Sequence, residues 1–405
     1  MTKDFRLLWL GDTTSRFGSR ISGVALPLIA ITMLHATTLQ IGLLTAASWL
    51  PWVLIGLPAG AWVDRLPRRP ILLAANLSSM LLMASVPIAA WLGALNISHL
   101  LAVAVLTGAA NVFAQTADQV YLRTVLAKEQ LPHGNARLQG SASVADVAGP
   151  GVAGAIAQGF GAVTGLLADA LTFLVATVCL LRIKAVEAKP RPREDGRRLS
   201  AEILAGLRFV VKDGYLRVLT VQGAAGNLAL TAYQTMLLIF LIREVGASTI
   251  TVGVLLATMS VGGVIGAASA TRIAAKLGTA HGMLLCQLLS APFALLIPLT
   301  GPGPRLAFTA VAGIAIGAGV VAANVIRGSF RQAYTPGDLL GRVTVSMQFL
   351  NYGTIPLGAL LGGALGQMIG LRPAMWVMTA TVAVTPLLLL LGPIRKSRDL
   401  PVAAA

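Results

Sequence analysis

Twelve apolar runs follow one another along the 405 residues, at 7–35, 39–63, 71–92, 98–122, 139–160, 163–183, 216–242, 249–271, 281–300, 305–326, 343–367 and 371–394. Each is long enough to cross a hydrocarbon core of about 30 Å as a helix. Nothing else in the sequence restricts the fold as much. The runs predict an all-α integral membrane protein with twelve transmembrane helices, and an even number of crossings returns both termini to one side. Composition agrees: 56% of residues are hydrophobic and 11% charged, against roughly 25% charged in soluble domains.

A formal charge of +16 would point to nucleic acid in a soluble chain. Here position decides otherwise. Of the 31 lysines and arginines, 26 lie in the even-numbered loops or at the termini. The odd-numbered loops hold only Arg243, Arg305 and Arg372, and Arg16 and Arg20 lie within the first span. Basic loops stay in the cytoplasm, so both termini are predicted there and no nucleic-acid partner is expected. Asp12, Arg16 and Arg20 interrupt the first run and no small-residue cleavage site follows, so it reads as a span rather than a signal peptide. Cys179 and Cys286 fall inside apolar runs without metal-ligand spacing and read as small core hydrophobes.

The longest interruption, about 184–215, divides the spans six and six. It predicts an N-terminal six-helix bundle (1–183), a cytoplasmic linker with an amphipathic helix (184–215), a C-terminal six-helix bundle (216–394) and a cytoplasmic tail (395–405). Within the linker Ser200 is placed to cap a helix, with Ile203, Leu204, Leu207 and Val210 on one face and Arg208 and Lys212 outside it. An interfacial helix joining two bundles follows. The halves also resemble each other: Arg123, Glu129, Arg137 and Gly149 to Gly161 run parallel to Arg331, Asp338, Arg342 and Gly358 to Gly370.

Between the second and third runs stands Gly60-Ala-Trp-Val-Asp64-Arg65-Leu-Pro67-Arg68-Arg69-Pro70, a tight charged hairpin. Its order Gly-x-x-x-Asp-Arg-x-x-Arg-Arg resembles the loop between helices 2 and 3 of major facilitator superfamily (MFS) transporters, with Pro67 where the family usually has Gly. Phe5-Arg-Leu-Leu-Trp-Leu-Gly11, Ala25-Leu-Pro-Leu28, Ala168-Asp169-Ala-Leu-Thr-Phe173 and Arg331 to Val343 resemble the branch that includes macrolide-efflux and enterobactin-exporter proteins. The resemblance covers nearly the whole chain. It implies two parallel six-helix repeats with a site near the midplane, and a gating role for Gly60, Asp64, Arg65, Arg68 and Arg69. The family's matching aspartate approaches the start of helix 11, which here begins near Arg342. Gly149-Pro150-Gly-Val-Ala-Gly154 resembles the drug/proton antiporter signature, with Ala153 in place of one Gly; the same small residues also serve helix packing. The fourth span lacks the arginine that many antiporters use for proton coupling. Ala/Arg/Gly-rich usage suggests a GC-rich bacterial source.

An ionisable group in the bilayer is costly and marks function by default. Asp12, Asp118, Asp146 and Asp169 lie within or at the edge of spans, all in the N-terminal half. Asp12, Arg16 and Arg20 are spaced i, i+4, i+8, so they share one face that must meet a water-filled cavity or carboxylates. Asp12 and Arg16 are read either as a pair opened by protonation or substrate, or as a permanent structural pair extended to Asp146 or Asp169. Asp146 is either a titrating group beside Gly149-Pro150 or a partner for a cytoplasmic arginine. Asp118 is expected to bridge to the 60–70 loop, and Asp169 to pair near a helix end.

Asn111, Gln115, Asn227, Tyr233, Gln234, Asn324, Gln348, Asn351 and Tyr352 are candidates to line a mostly apolar substrate cavity. No phosphate-binding Gly-x-x-x-x-Gly-Lys-Ser/Thr loop is present, and His35, His99, His133 and His281 stand near loops without a metal or triad arrangement. An enzyme is not expected, nor a cofactor. The reading is a monomeric secondary transporter in a bacterial cytoplasmic membrane, exporting a small hydrophobic or amphipathic compound (drug, antibiotic or metabolite) against inward proton flow by alternating access. The rivals are a siderophore exporter, an importer with other coupling, and a non-transporting sensor or scaffold.

Overall fold

The computed structural model describes residues 2–185, 187 and 199–401; for 57, 61, 64, 119, 120, 123, 128, 132, 199–205, 337, 338 and 396 it describes backbone alone. The described residues form thirteen α-helices: α1 Lys3–Thr32, α2 Thr38–Arg65, α3 Arg68–Trp91, α4 Ile97–Val125, α5 Leu131–Phe160, α6 Ala162–Arg182, α7 Leu199–Lys212, α8 Gly214–Arg243, α9 Thr249–Leu277, α10 Thr279–Ser290, α11 Ala307–Tyr334, α12 Gly337–Ile369 and α13 Leu371–Val384. No strand occurs among them. Nine segments of the described residues are long and apolar enough to cross a membrane. The charged α1 and α5 and the glycine-rich α12 are not among the nine.

Local chemistry sets the helix ends. Thr2, Asn96 and Asp213 accept a backbone N–H at the starts of α1, α4 and α8, and Thr37 and Gln40 form a capping box on α2, which satisfies donors the first turn leaves free. Gly161 and Gly370 join α5 to α6 and α12 to α13 at φ 85° and 87°. That region of backbone space favours glycine. The two joints fall at matching places in the internal repeat. After α10 and α13 the chain tightens into 3₁₀ stretches, Ala291–Leu299 and Thr385–Leu391. Each has proline as its second residue, which removes a backbone donor and ends the α-helical ladder.

Two compact units emerge, Met1–Glu194 with Ser248–Ala257, and Asp195–Ala247 with Thr258–Ala405. In the first, α1 packs on α5 and α6, α2 on α4, and α3 on α4 and α6. Glycines make the α1–α6 seam close: a Cβ at Gly11 would stand 3.3 Å from Ala176, and one at Gly165 would stand 3.2 Å from Ile21 and Ala25. Small residues are how membrane helices gain contact when lipid offers no hydrophobic drive. In the second unit α8 packs on α12 and α13, and α10 on α11. A Cβ at Gly358 or Gly362 would meet the α8 carbonyls of Leu228 and Ala232 at 2.4 and 2.3 Å.

Two segments differ from expectation. The amphipathic helix forms as α7; the side chains of Ser200, Ile203 and Leu204 lie outside the described residues, and further along its apolar face Val210 seats on protein, buried with Leu216, Val343 and Met347. Gly206 permits this approach, since a Cβ there would stand 2.6 Å from the Arg342 carbonyl. The tail is anchored as far as Leu400. The Arg398 carbonyl accepts the Ala280 N–H at 3.1 Å, and Asp399 accepts the Thr279 N–H at 2.8 Å. Two otherwise unpaired donors at the start of α10 are thereby satisfied.

Candidate functional site

The charged face of α1 meets carboxylates from three helices. Arg16 Nε donates to both Asp12 oxygens, at 2.8 and 2.7 Å. Its other arm points at Asp118 of α4, 3.9 Å away. One turn on, Arg20 Nε lies 2.5 Å from Asp146 of α5. At about 1.5 Å per residue, Arg16 stands near the middle of α1. Three carboxylates face two guanidinium groups, so the fully ionised cluster holds one excess negative charge. A single proton neutralises it.

Two of these partners differ from those the sequence offered. Asp118 meets Arg16 where a bridge to the 60–70 loop was expected, because α4 carries it to the level of the second α1 charge. Asp146 meets Arg20 of α1 rather than an arginine of a cytoplasmic loop. Gly149 makes that pairing possible: a Cβ there would lie 2.5 Å from the Arg20 Cβ. The same motif serves packing further along α5. A Cβ at Gly154 would stand 2.6 Å from the Thr249 carbonyl, and the Pro150 carbonyl would lie 2.5 Å from a Cβ at Gly253.

Asp169 is fully buried between α1 and α6. Expected to pair near a helix end, it lies two turns into α6 and accepts the hydroxyls of Ser22 at 2.5 Å and Thr172 at 3.1 Å. No cation is among its described partners. Gly18 supplies the room, for a Cβ there would come 2.3 Å from Asp169 Oδ1 and 2.1 Å from Thr172 Oγ1.

In the 60–70 hairpin Gly60 faces open space, Arg65 is exposed, and the Asp64 side chain lies outside the described residues. The hairpin's basic residues are held by a group the sequence did not single out. Pro67 offers no side-chain cap to α3; Glu187 takes that place, accepting the Arg68 N–H at 2.8 and 2.9 Å and the Arg69 N–H at 3.3 Å. A carboxylate at a helix N-terminus meets both free donors and the positive end of the dipole. Arg69 also donates to the Leu181 carbonyl at 2.9 Å. An acid set just before the Pro/Arg-rich part of the linker was the available signal.

The polar candidates separate by environment. Asn111 and Gln115 bond each other along α4 at 3.0 Å. In the second unit Asn227 donates to the Asn351 carbonyl at 3.2 Å. Tyr233 is buried, Tyr352 half-buried, and Gln234, Asn324 and Gln348 are exposed. Arg327, placed by the sequence in a loop, lies inside α11 and donates to Gln222, whose amide donates to Gln287 at 2.6 Å. Arg372 clasps one end of the unit, donating to Glu244 at 3.2 Å and to the carbonyls of Pro298 and Thr300 at 2.6 and 3.3 Å.

The family model described as transmembrane secretion effector, within the MFS, matches residues 1–404. The chain belongs to that family. The multidrug efflux pump Tap of Mycolicibacterium fortuitum is 26% identical over 374 residues, covering 90% of each chain. Tap of Mycobacterium tuberculosis (strain ATCC 25618 / H37Rv) is 26% identical over 395 residues, covering 95% of this chain and 92% of the pump. The fold is similar to crystal structures of the nucleoside transporter NupG (D323A mutant), with TM-score 0.81 at 10% identity over 96% of this chain and 99% of that one. It is also similar to a bacterial homologue of the iron transporter ferroportin in the inward-facing state, with TM-score 0.75 at 15% identity over the same shares. Members of this MFS family are multi-pass membrane transporters, not enzymes.

Proposed function

We propose that this MFS protein is a proton-coupled exporter of small hydrophobic or amphipathic organic compounds, working by alternating access in a bacterial cytoplasmic membrane. Twelve spans with both termini cytoplasmic, in bundles 1–183 and 216–394, are the proposed topology; the basic even-numbered loops support it. The similarity to multidrug efflux pumps supports outward transport. The observation that carries the coupling is the five-charge cluster of Asp12, Arg16, Arg20, Asp118 and Asp146. Charged side chains at this depth are expensive, and a bundle without transport would have little use for them.

The mechanism follows from charge counting. Ionised, Asp12 and Asp118 compete for Arg16. A proton on either leaves Arg16 to the other and removes the excess charge. Two arrangements of Arg16 then differ in which carboxyl holds the proton, and protonation biases their populations by the difference in proton affinity of the two sites, as any ligand does that binds two states unequally. In everted vesicles, a proton gradient should drive dye accumulation, abolished in Asp12→Asn or Asp146→Asn. Unchanged transport in every carboxylate variant would sink proton coupling.

A further inference from the structure

Arg16 and Arg20 of α1 are matched by acids; among the described residues the arginines of α11 are not. Arg327 and Arg331 lie one turn apart on α11. Arg327 stands about 10 Å from the helix end, counting 1.5 Å per residue. A charge at such depth is normally paired. Among the described residues neither arginine has a carboxylate partner. Asp213, which meets Tyr334 of the same helix, already accepts the Leu216 N–H at 2.8 Å and the Tyr334 hydroxyl at 2.7 Å.

Neutral amides surround Arg327 instead. Its one hydrogen bond goes to the Gln222 oxygen, and Gln222 Nε2 donates to Gln287 at 2.6 Å, which fixes the amide with its oxygen towards the arginine. The Nε atoms of Arg327 and Arg331 and the Asn351 Oδ1 are buried without a partner. Arg327 and Asn351 converge over Gly223. A Cβ there would stand 3.0 Å from Arg327 Nη1 and 2.7 Å from Asn351 Oδ1, so glycine is what lets both side chains lie against α8 at this point. Among the described residues, this part of α11 holds positive charge and no acid. A guanidinium fork fits the two oxygens of a carboxylate.

We infer that Arg327, held in place by the Gln222 oxygen, binds the carboxylate of an amphipathic organic acid carried by this transporter, an inference that rests on the exporter reading. Arg331 adds a second positive charge one turn away. The apolar body of such a compound is common to many efflux substrates; the acid group is what this cluster would select.

The test uses the full-length protein in lipid nanodiscs with two fluorescent probes, dansylglycine and its methyl ester, which differ in the carboxylate alone. The wild type should bind the acid at least tenfold more tightly than the ester, about 1.4 kcal/mol. Arg327→Gln should bring the acid down to the ester's affinity and leave the ester unchanged. Arg327→Lys, which keeps the charge without the fork, should retain part of the preference, and it serves if the Gln variant fails to fold. Equal binding of acid and ester, no binding of either, or a preference that survives Arg327→Gln would overturn the assignment. Proton-driven export of a neutral dye without acid preference would overturn only this site. Acid preference without proton-driven export would instead remove the exporter reading and keep the site.

Discussion

The Arg20–Asp146 pair offers the sharpest test of where the α1 face points. The two side chains are 58% and 43% exposed although they lie inside long membrane helices. Exposure there means lipid or a water-filled cavity, and an ion pair does not face lipid. If water reaches the pair, its coupling should resemble that of an exposed salt bridge, roughly 0.2–1 kcal/mol. A pair sealed in protein would instead cost about 3–5 kcal/mol when one partner is removed. A double-mutant cycle with Arg20→Gln, Asp146→Asn and both together measures this coupling. In domains of roughly 150–250 residues 1 kcal/mol moves Tm by about 2–4 °C. The expected coupling therefore shifts the apparent Tm by no more than about 4 °C. Proton-driven dye accumulation in everted vesicles should nonetheless fall at least tenfold in each single variant. A coupling above about 3 kcal/mol, or normal accumulation in Asp146→Asn, would refute a water-facing coupling pair and leave a structural strut.

Other outcomes follow from single contacts. Gly18→Ala drives a methyl into Asp169 and Thr172 and should cost about 1–3 kcal/mol by overpacking, lowering the apparent Tm. Gly23→Ala, where a Cβ meets nothing within 4 Å, should leave it unchanged or raise it; equal values for the two would refute the tight α1–α6 seam. Glu187→Ala removes the cap of α3, worth about 0.5–2 kcal/mol, and amide exchange at Arg68 and Arg69 should rise while α4 stays protected. Unchanged exchange at those two amides would show that Glu187 does not hold the hairpin. Asp64→Asn should slow turnover with normal membrane insertion, and full turnover would rule out a latch at that residue.

Much of the helical fold was legible because apolar runs act over whole segments. The charged face of α1 was legible for the same reason, since i, i+4, i+8 spacing survives any packing of the helix. Partner choice was not. Whether Asp146 meets Arg20 or a loop arginine depends on how closely α5 approaches α1, and Gly149 sets that distance. Glu187 escaped notice because capping depends on where the chain turns after α6. Arg327 was placed outside its helix because a hydropathy run stops at a charge. The backbone has no such reason to stop, and α11 continues to Tyr334, just before Thr335 and Pro336 end it.

The two halves share their framework and differ in their charges. Gly161 and Gly370 make the same backbone turn at matching joints, and glycine seams close both units. Packing of small residues therefore specifies the shape, and mid-membrane charges are not needed for it. Where they occur they work against stability, so their distribution reports on use. The cluster on α1 balances its two arginines to within one proton; among the described residues Arg327 and Arg331 have no acid partner. An internal balance that one proton completes suits coupling, and a balance that only an outside anion completes suits recognition. Neutralising an acid of the first unit should therefore change the proton dependence of transport and spare the acid-over-ester preference, while Arg327→Gln should do the reverse. A variant of either kind that moved both quantities together would show that the two tasks are not divided between the halves.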